Sequence, residues 1–319
     1  MIISLRNTTT NQVADKLVSI RLEGGVVALS RVLTLLVTVG SAAAEAAIAA
    51  ANAASMEHPC RLIVLVESDA EAQPGLDAEI RVGGDAGASE VVVLRLGADL
   101  AGLQASLVTP LLLPDVPVVT WWPDRVPDRP ATTPLGALAE RRVTDSGLAP
   151  GSLRQRLTGL RDGYSPRDTD LAWTRLTWWR AHLAAVLDQP PFDTVTEVGL
   201  VGQTDDPSVV LLAAWLGWKL HCQVRLTCRP DTIGVKRVEL RRASGALSID
   251  RVVGTELATL TIPGATPRRF HLTRPSLADC LSEELRRLDE DVVYGEVIDQ
   301  GLTWLTKHID ATVLGEADR

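Results

Sequence analysis

Two aliphatic runs constrain the fold of this chain more than any other feature. "RVLTLLVTV" (31–39) and "CRLIVLVES" (60–68) are rich in Leu, Val and Ile, and "SAAAEAAIAAANAASM" (41–56) lies between them. A strand without a polar face has to be covered on both sides. Two such strands joined by a helix-length segment form a βαβ unit with parallel pairing. Ser41 opens the Ala-rich segment as its candidate N-cap. The stretch from Val32 to Ala54 is also the longest apolar run, but Gly40, Ser41 and Glu45 break it and most of it is Ala. It reads as strand plus helix rather than as a membrane span.

The rest of the first half continues the pattern. "MIISL" is a short strand, and a helix follows from the Thr run at 8–10. Segments 76–82 and 89–97 read as a hairpin about "GGDAG" (83–87). A helix over 98–113 is broken near Pro110 and Pro114, strand 116–123 follows, and 134–143 begins as a short helix. A stretch rich in Gly, Pro and Asp (144–170) separates the halves and holds one short helix, "SLRQRLTGL".

The second half opens with a Trp-rich helix at about 169–188, ended by Pro190 and Pro191. Strand 194–202 leads to a helix over 206–220, with Asp205 or Asp206 as cap and Pro207 in the first turn. Strand 222–228 follows. Four alternating runs, 235–242, 245–252, 256–263 and 268–274, are antiparallel strands with one wet face. Helices over 276–291 and 292–309 close the chain; Ser276 starts the first without a strict capping box. The expected architecture is α/β: two halves with mixed sheets flanked by helices, 1–150 and 151–319, the second beginning with the Trp-rich helix. The shared element order is compatible with an internal duplication, although no residue motif repeats.

The chemistry is mostly one of exclusion. A net charge of −8 disfavours nucleic acid as a partner. "MIISLRNTTT" lacks the pattern of a signal peptide, so a cytoplasmic protein with reduced thiols is expected. Cys222 and Cys228 would lie about 20 Å apart on an extended strand. His58–Cys60 and His221–Cys222 lack the spacing of a structural zinc site. No G-x-G-x-x-G, P-loop, G-x-S-x-G or H-E-x-x-H is present. No motif in the sequence identifies a cofactor site, a metal site or a catalytic residue. The alternative is a phosphosugar- or nucleotide-binding enzyme or metabolite sensor, with an anion held at a βα turn near Ser41 or Gln203.

"DLAWTRLTWWRAHLAAVLDQP" (170–190) places Trp173, Trp178 and Trp179 within seven positions of a chain with eight Trp in all. At about 100° per residue, Ala172, Leu176, Trp179, Leu183 and Val186 share one stripe. Trp173 falls at its edge beside Arg180. Trp178 points elsewhere with His182 and Ala185, and Arg175 stands one turn before it. One core stripe cannot bury all three indoles. The second face is covered either by this chain or by a partner, and Trp with Arg is the pairing that most often dominates interfaces. "TWWPDRVPDRP" (120–130) raises the same question, because adjacent Trp121 and Trp122 on a strand face opposite sides.

"TWWPD", "ERRVTDS" (140–146), "DLAWTRLTWWRAHLA" (170–184) and "LLAAWLGWKL" (211–220) occur in an order that resembles the OpcA family, glucose-6-phosphate dehydrogenase assembly proteins of actinobacteria and cyanobacteria. The resemblance runs from about residue 30 to 305 and is most specific over Trp173–Arg180. It implies a non-catalytic allosteric activator that binds glucose-6-phosphate dehydrogenase and promotes its active oligomer. Such a role supports the oxidative pentose phosphate pathway and NADPH supply. In cyanobacterial members the activity is linked to thiol redox state, whereas the four Cys here form no close pair in sequence. The candidate partner contacts are the Trp, Arg and Asp residues of these segments: Trp173, Arg175, Trp178 and Arg180 in one, Trp121, Trp122 and Asp124 in another, and Arg142 and Asp145 in the third.

Overall fold

The computed structural model describes residues 1–24, 32–67, 73–82, 90–252 and 254–313. Chain contacts divide them into two units. Unit one comprises 1–150, 163–171 and 276–290; unit two comprises 151–162, 172–275 and the chain from 291 on.

Unit one contains β1 (Ile2–Leu5), β2 (Leu33–Gly40), β3 (Cys60–Glu67), β4 (Leu76–Arg81), β5 (Glu90–Leu96), β6 (Val118–Trp122), β7 (Arg141–Thr144) and β8 (Asp168–Asp170). Among the described residues these form one sheet in the order β1-β4-β5-β3-β2-β6-β7-β8. β2 and β3 are parallel, as the two aliphatic runs require. β5, β6, β7 and β8 extend the parallel part. β4 pairs antiparallel with β5, and β1 antiparallel with β4. The turn expected at 83–87 lies outside the described residues.

Alternation sorts the strands' side chains onto two covered faces. Leu35, Val37, Leu62, Val64 and Trp121 join one apolar core, and Leu36, Ile63, Leu65 and Trp122 the other. The first is roofed by the Ala-rich helix, Ala44–Ser55, and by a later helix, Leu277–Arg286. Arg141, buried on β7, reaches that later helix through Nε, which donates to Glu284 Oε2 at 3.1 Å.

Local expectations in unit one need four corrections. Ser41 is not a cap: it lies in a short 3-10 turn, Ser41–Ala43, and the α-helix starts after it without a side-chain cap. The helix expected over 98–113 shrinks to Gln104–Val108 between two 3-10 turns. Arg141–Thr144 is a strand, not a helix. Ser276 does form a capping box, with Asp279 rather than with the more distant Glu283 or Glu284.

Unit two contains β9 (Glu197–Gln203), β10 (Gln223–Arg229), β11 (Val235–Arg242), β12 (Gly245–Arg251), β13 (Leu257–Thr261), β14 (Arg268–His271) and β15 (Ile309–Val313). Among the described residues the order is β14-β13-β12-β11-β9-β10-β15. β9, β10 and β15 are parallel, and β11 to β14 form the expected antiparallel meander. Both sheets are mixed, but their strand orders differ.

The crossover from β9 to β10 is the helix Pro207–Leu220. Asp206 caps it, accepting from Ser208 N at 2.8 Å, and Pro207 occupies its first position. This helix packs close because Gly202 carries no side chain: a Cβ there would stand 2.6 Å from Val209 Cγ2. Val292–Glu296, a π turn at Val297–Gly301 and Leu302–His308 form the closing helix, which ends directly in β15.

The Trp-rich segment is not one helix. Asp168–Asp170 is β8, Leu171–Thr174 is a single turn, and the helix proper is Thr177–Leu187. Asp170 explains the strand, since its carboxylate accepts from Ser146 N, Ser146 Oγ and Thr144 Oγ1 at 2.9, 2.8 and 2.6 Å.

Candidate interaction site

The segment Trp173–Arg180 separates into an internal cluster and an exposed ring. Trp173 is completely buried, not at a stripe's edge. Its Nε1 donates to Asp291 Oδ2 at 2.8 Å, and the Arg180 guanidinium carbon lies 3.9 Å from its ring centroid. Tyr294 stands 6.0 Å away on the same side of unit two. Asp291 also caps the closing helix by accepting from Tyr294 N at 2.9 Å. Trp173 and Arg180 therefore tie this segment to the closing helix of their own unit.

Trp179 is buried, as the stripe requires, and Arg251 approaches its ring at 5.7 Å. Trp178 is 55 % exposed, and of the chain's eight Trp, all within the described residues, it alone is exposed. Ala181, Ala184 and Ala185 continue that side of the helix and are exposed too. The exposed indole therefore projects beside small residues, with half-buried His182 one turn on, its ring 4.4 Å from that of Phe270.

The other candidates lie deeper. Trp121 and Trp122 face opposite sides of the sheet, as strand alternation demands, but both sides are covered. Arg142 is buried and paired with Asp168, its Nη1 also donating to the Ala139 carbonyl. Burial pushes the Asp168 carboxyl above its usual range, against the pull of Arg142. Asp145 is buried at the end of β7, where its carboxylate accepts from Gly147 N at 3.1 Å. These four, with Trp173, are enclosed by the chain itself and cannot present a surface as it stands. Arg175, Arg180 and Asp124 are partly buried.

Asp124 has a specific task. In unit one the chain runs outward from β2 in both directions, through β3 and β5 on one side and β6 to β8 on the other. The point of reversal, between the C-terminal ends of β2 and β6, is where open α/β sheets bind ligands. Here Asp124 fills it: the carboxylate accepts from Gly40 N at 3.2 Å, and the Arg125 guanidinium lies against the same glycine. The turn before Ser41 is thus occupied by the chain's own anion.

The corresponding reversal in unit two lies at β9 and is open. A cleft there is lined by Gln203, Asp206, Arg175, Trp179, Arg251 and Arg274. Arg251 and Arg274 carry no short motif and come from the meander and the segment after it, so spacing in the sequence could not join them. No group of three or more His, Cys, Asp or Glu among the described residues is placed to hold a metal. No helix among them is long and apolar enough to cross a membrane.

Comparison with known proteins decides the family. A family model described as the N-terminal domain of a glucose-6-phosphate dehydrogenase subunit matches residues 51–160, and one described as the C-terminal domain matches 166–298. The chain belongs to the OpcA family. No curated protein matches it. Solved structures include one titled as trehalose-6-phosphate from E. coli bound with UDP-2-fluoro glucose, with 13 % identity and a TM-score of 0.27 over 61 % of this chain and 65 % of that one. Another, titled as an OtsA apo structure, has 13 % identity and a TM-score of 0.26 over 62 % of this chain and 66 % of that one. This OpcA-family chain thus spans just under two thirds of either protein, and likeness at that level carries no structural argument.

Proposed function

We propose that the protein is a non-catalytic assembly factor and allosteric activator of glucose-6-phosphate dehydrogenase. It would act in the cytoplasm and support the oxidative pentose phosphate pathway and its NADPH supply. The observation that carries this reading is the pair of family models, both named for a subunit of that enzyme, which together span most of the chain.

The mechanism is linkage. A protein that binds the active oligomer more tightly than the inactive form shifts the equilibrium by the ratio of the two affinities. Trp178 and its Ala shelf are the proposed contact, with Arg175 one turn earlier. An exposed Trp offers a large apolar area with little side-chain entropy to lose, which makes it a common anchor of protein interfaces.

Mixing the purified chain with the dehydrogenase tests the proposal. The expected result is a rise in specific activity together with a larger complex in sizing and mass measurement. An unchanged activity and unchanged oligomer mass over a wide concentration range would overturn it.

A further inference from the structure

The cleft at the C-terminal end of β9 gathers cationic side chains. Its inner part measures about 190 Å³ and its outer part about 430 Å³; Ile233, Arg251 and Arg274 line both. Arg175, Lys236, Arg251 and Arg274 supply the cations, and Asp206, Asp231 and Glu256 the carboxylates. Asp206 is committed to the helix start, where it accepts from Ser208 N, and its charge also acts on Arg274. Arg274 in turn donates to the Ile233 carbonyl.

Arg251 is the exception. Its Nε is buried without a hydrogen-bond partner, and its guanidinium lies 5.7 Å from the ring centroid of Trp179. Burial, reinforced by the charge of Arg274, pulls its pKa down to about 10, so it stays protonated at neutral pH. Arg251 as a whole is half-buried, but an enclosed donor without an acceptor costs free energy. Proteins keep such a group where a ligand supplies the missing acceptor, and sites of this kind favour function over stability.

We infer that this cleft binds a phosphate group of a small molecule, held between Arg251 and Arg274 with Trp179 as its floor. Two guanidinium groups offer more donors than a single carboxylate has favourable acceptor positions, whereas a phosphate can accept from both in paired bonds. The position fits the rule that ligands enter an α/β sheet at the carboxyl ends of its strands where the strand order reverses. Gln203 at the end of β9 accepts from Gly234 N through Oε1 at 2.9 Å, which fixes the cleft's wall and leaves its Nε2 as a further donor.

The test uses the isolated full chain and does not depend on the dehydrogenase. Inorganic pyrophosphate is titrated calorimetrically, with inorganic phosphate as the weaker probe. Saturable binding is expected, weakened at least about tenfold in Arg251→Leu and in Arg274→Gln, since each removes a charged hydrogen-bond donor. Arg268→Gln, an exposed residue of the adjacent strand β14, should leave the affinity unchanged. If Arg251→Leu fails to fold, Arg274→Gln carries the binding test. No saturable heat at millimolar pyrophosphate, or wild-type affinity in the variants, overturns the inference.

Discussion

The guanidinium of Arg180 lies 3.9 Å from the ring centroid of Trp173, while the Trp173 Nε1 donates to Asp291 at 2.8 Å. A cation on the face and a carboxylate at the edge match the ring's own charge distribution. They also explain why Trp and Arg recur seven residues apart here: the pair fixes Trp173 and the helix that carries Arg180 to the closing helix of their own unit.

Trp173→Phe keeps most of the apolar volume, removes the hydrogen bond to a charged acceptor and weakens the contact with the Arg180 guanidinium. A loss of about 1.5–3 kcal/mol is expected in urea unfolding. Trp173→Ala should cost about 3–5 kcal/mol, because a large cavity is left as well. A Phe variant as stable as the wild type would show that the Asp291 bond contributes nothing.

Trp178 and Trp179 are adjacent in sequence and opposite in consequence. Trp179→Ala opens a cavity beneath Arg251 and should cost about 3–5 kcal/mol. Trp178→Ala should move Tm by little, since the ring is 55 % exposed. If the helix contacts the dehydrogenase, the same variant should weaken the complex by about 2 kcal/mol or more. Sedimentation of the mixture reads that loss, and full-strength binding by Trp178→Ala would remove this residue from the contact.

Much of this was legible from periodicity alone. The two aliphatic runs specify their own parallel pairing, and the alternation over 235–271 specifies the meander. Short strands were not legible, because Arg141–Thr144 and Asp168–Asp170 are polar and owe their pairing to side-chain bonds made far away in sequence, such as Asp170 with Ser146. Helical angles put Trp178 off the core stripe, but its exposure was left open, because they do not say what covers the second face. The burial of Trp122 was open too, since strand alternation says which side a residue faces but not whether that side is covered. The cleft between Arg251 and Arg274 depends on tertiary placement and left no trace in spacing.

Arg141 and Glu284 join β7 to the helix Leu277–Arg286 as a buried pair. Removing one partner strands the other charge in an apolar core, so Glu284→Ala should cost about 3–5 kcal/mol. Replacing both, as Arg141→Met with Glu284→Leu, should recover most of that loss, because apolar side chains of similar size carry no desolvation cost. Urea midpoints of the single and double variants check this. Equal losses in both would show that the pair acts through some other contact.

The Cys222 thiol is buried at 7 % exposure. Burial first, then the charge of Glu197, pushes its pKa from 9.0 up to about 11. The sign of the pH effect follows. Below pH 9 the thiol is neutral in both folded and unfolded chains and gives no pH dependence. Between about 9 and 11 the unfolded chain ionises and the folded one does not, so stability falls as pH rises through that window. The loss attributable to this group should approach about 3 kcal/mol above it. Cys222→Ala should flatten that part of the pH–stability curve relative to the wild type, and iodoacetamide should label Cys222 in the folded chain only slowly at pH 8, where the reactive thiolate is scarce. Rapid labelling at pH 8, or identical curves for wild type and variant between pH 9 and 11, would show that the thiol is not held neutral. The same suppression bears on thiol regulation, since a thiol held neutral at physiological pH is a poor partner for disulfide exchange.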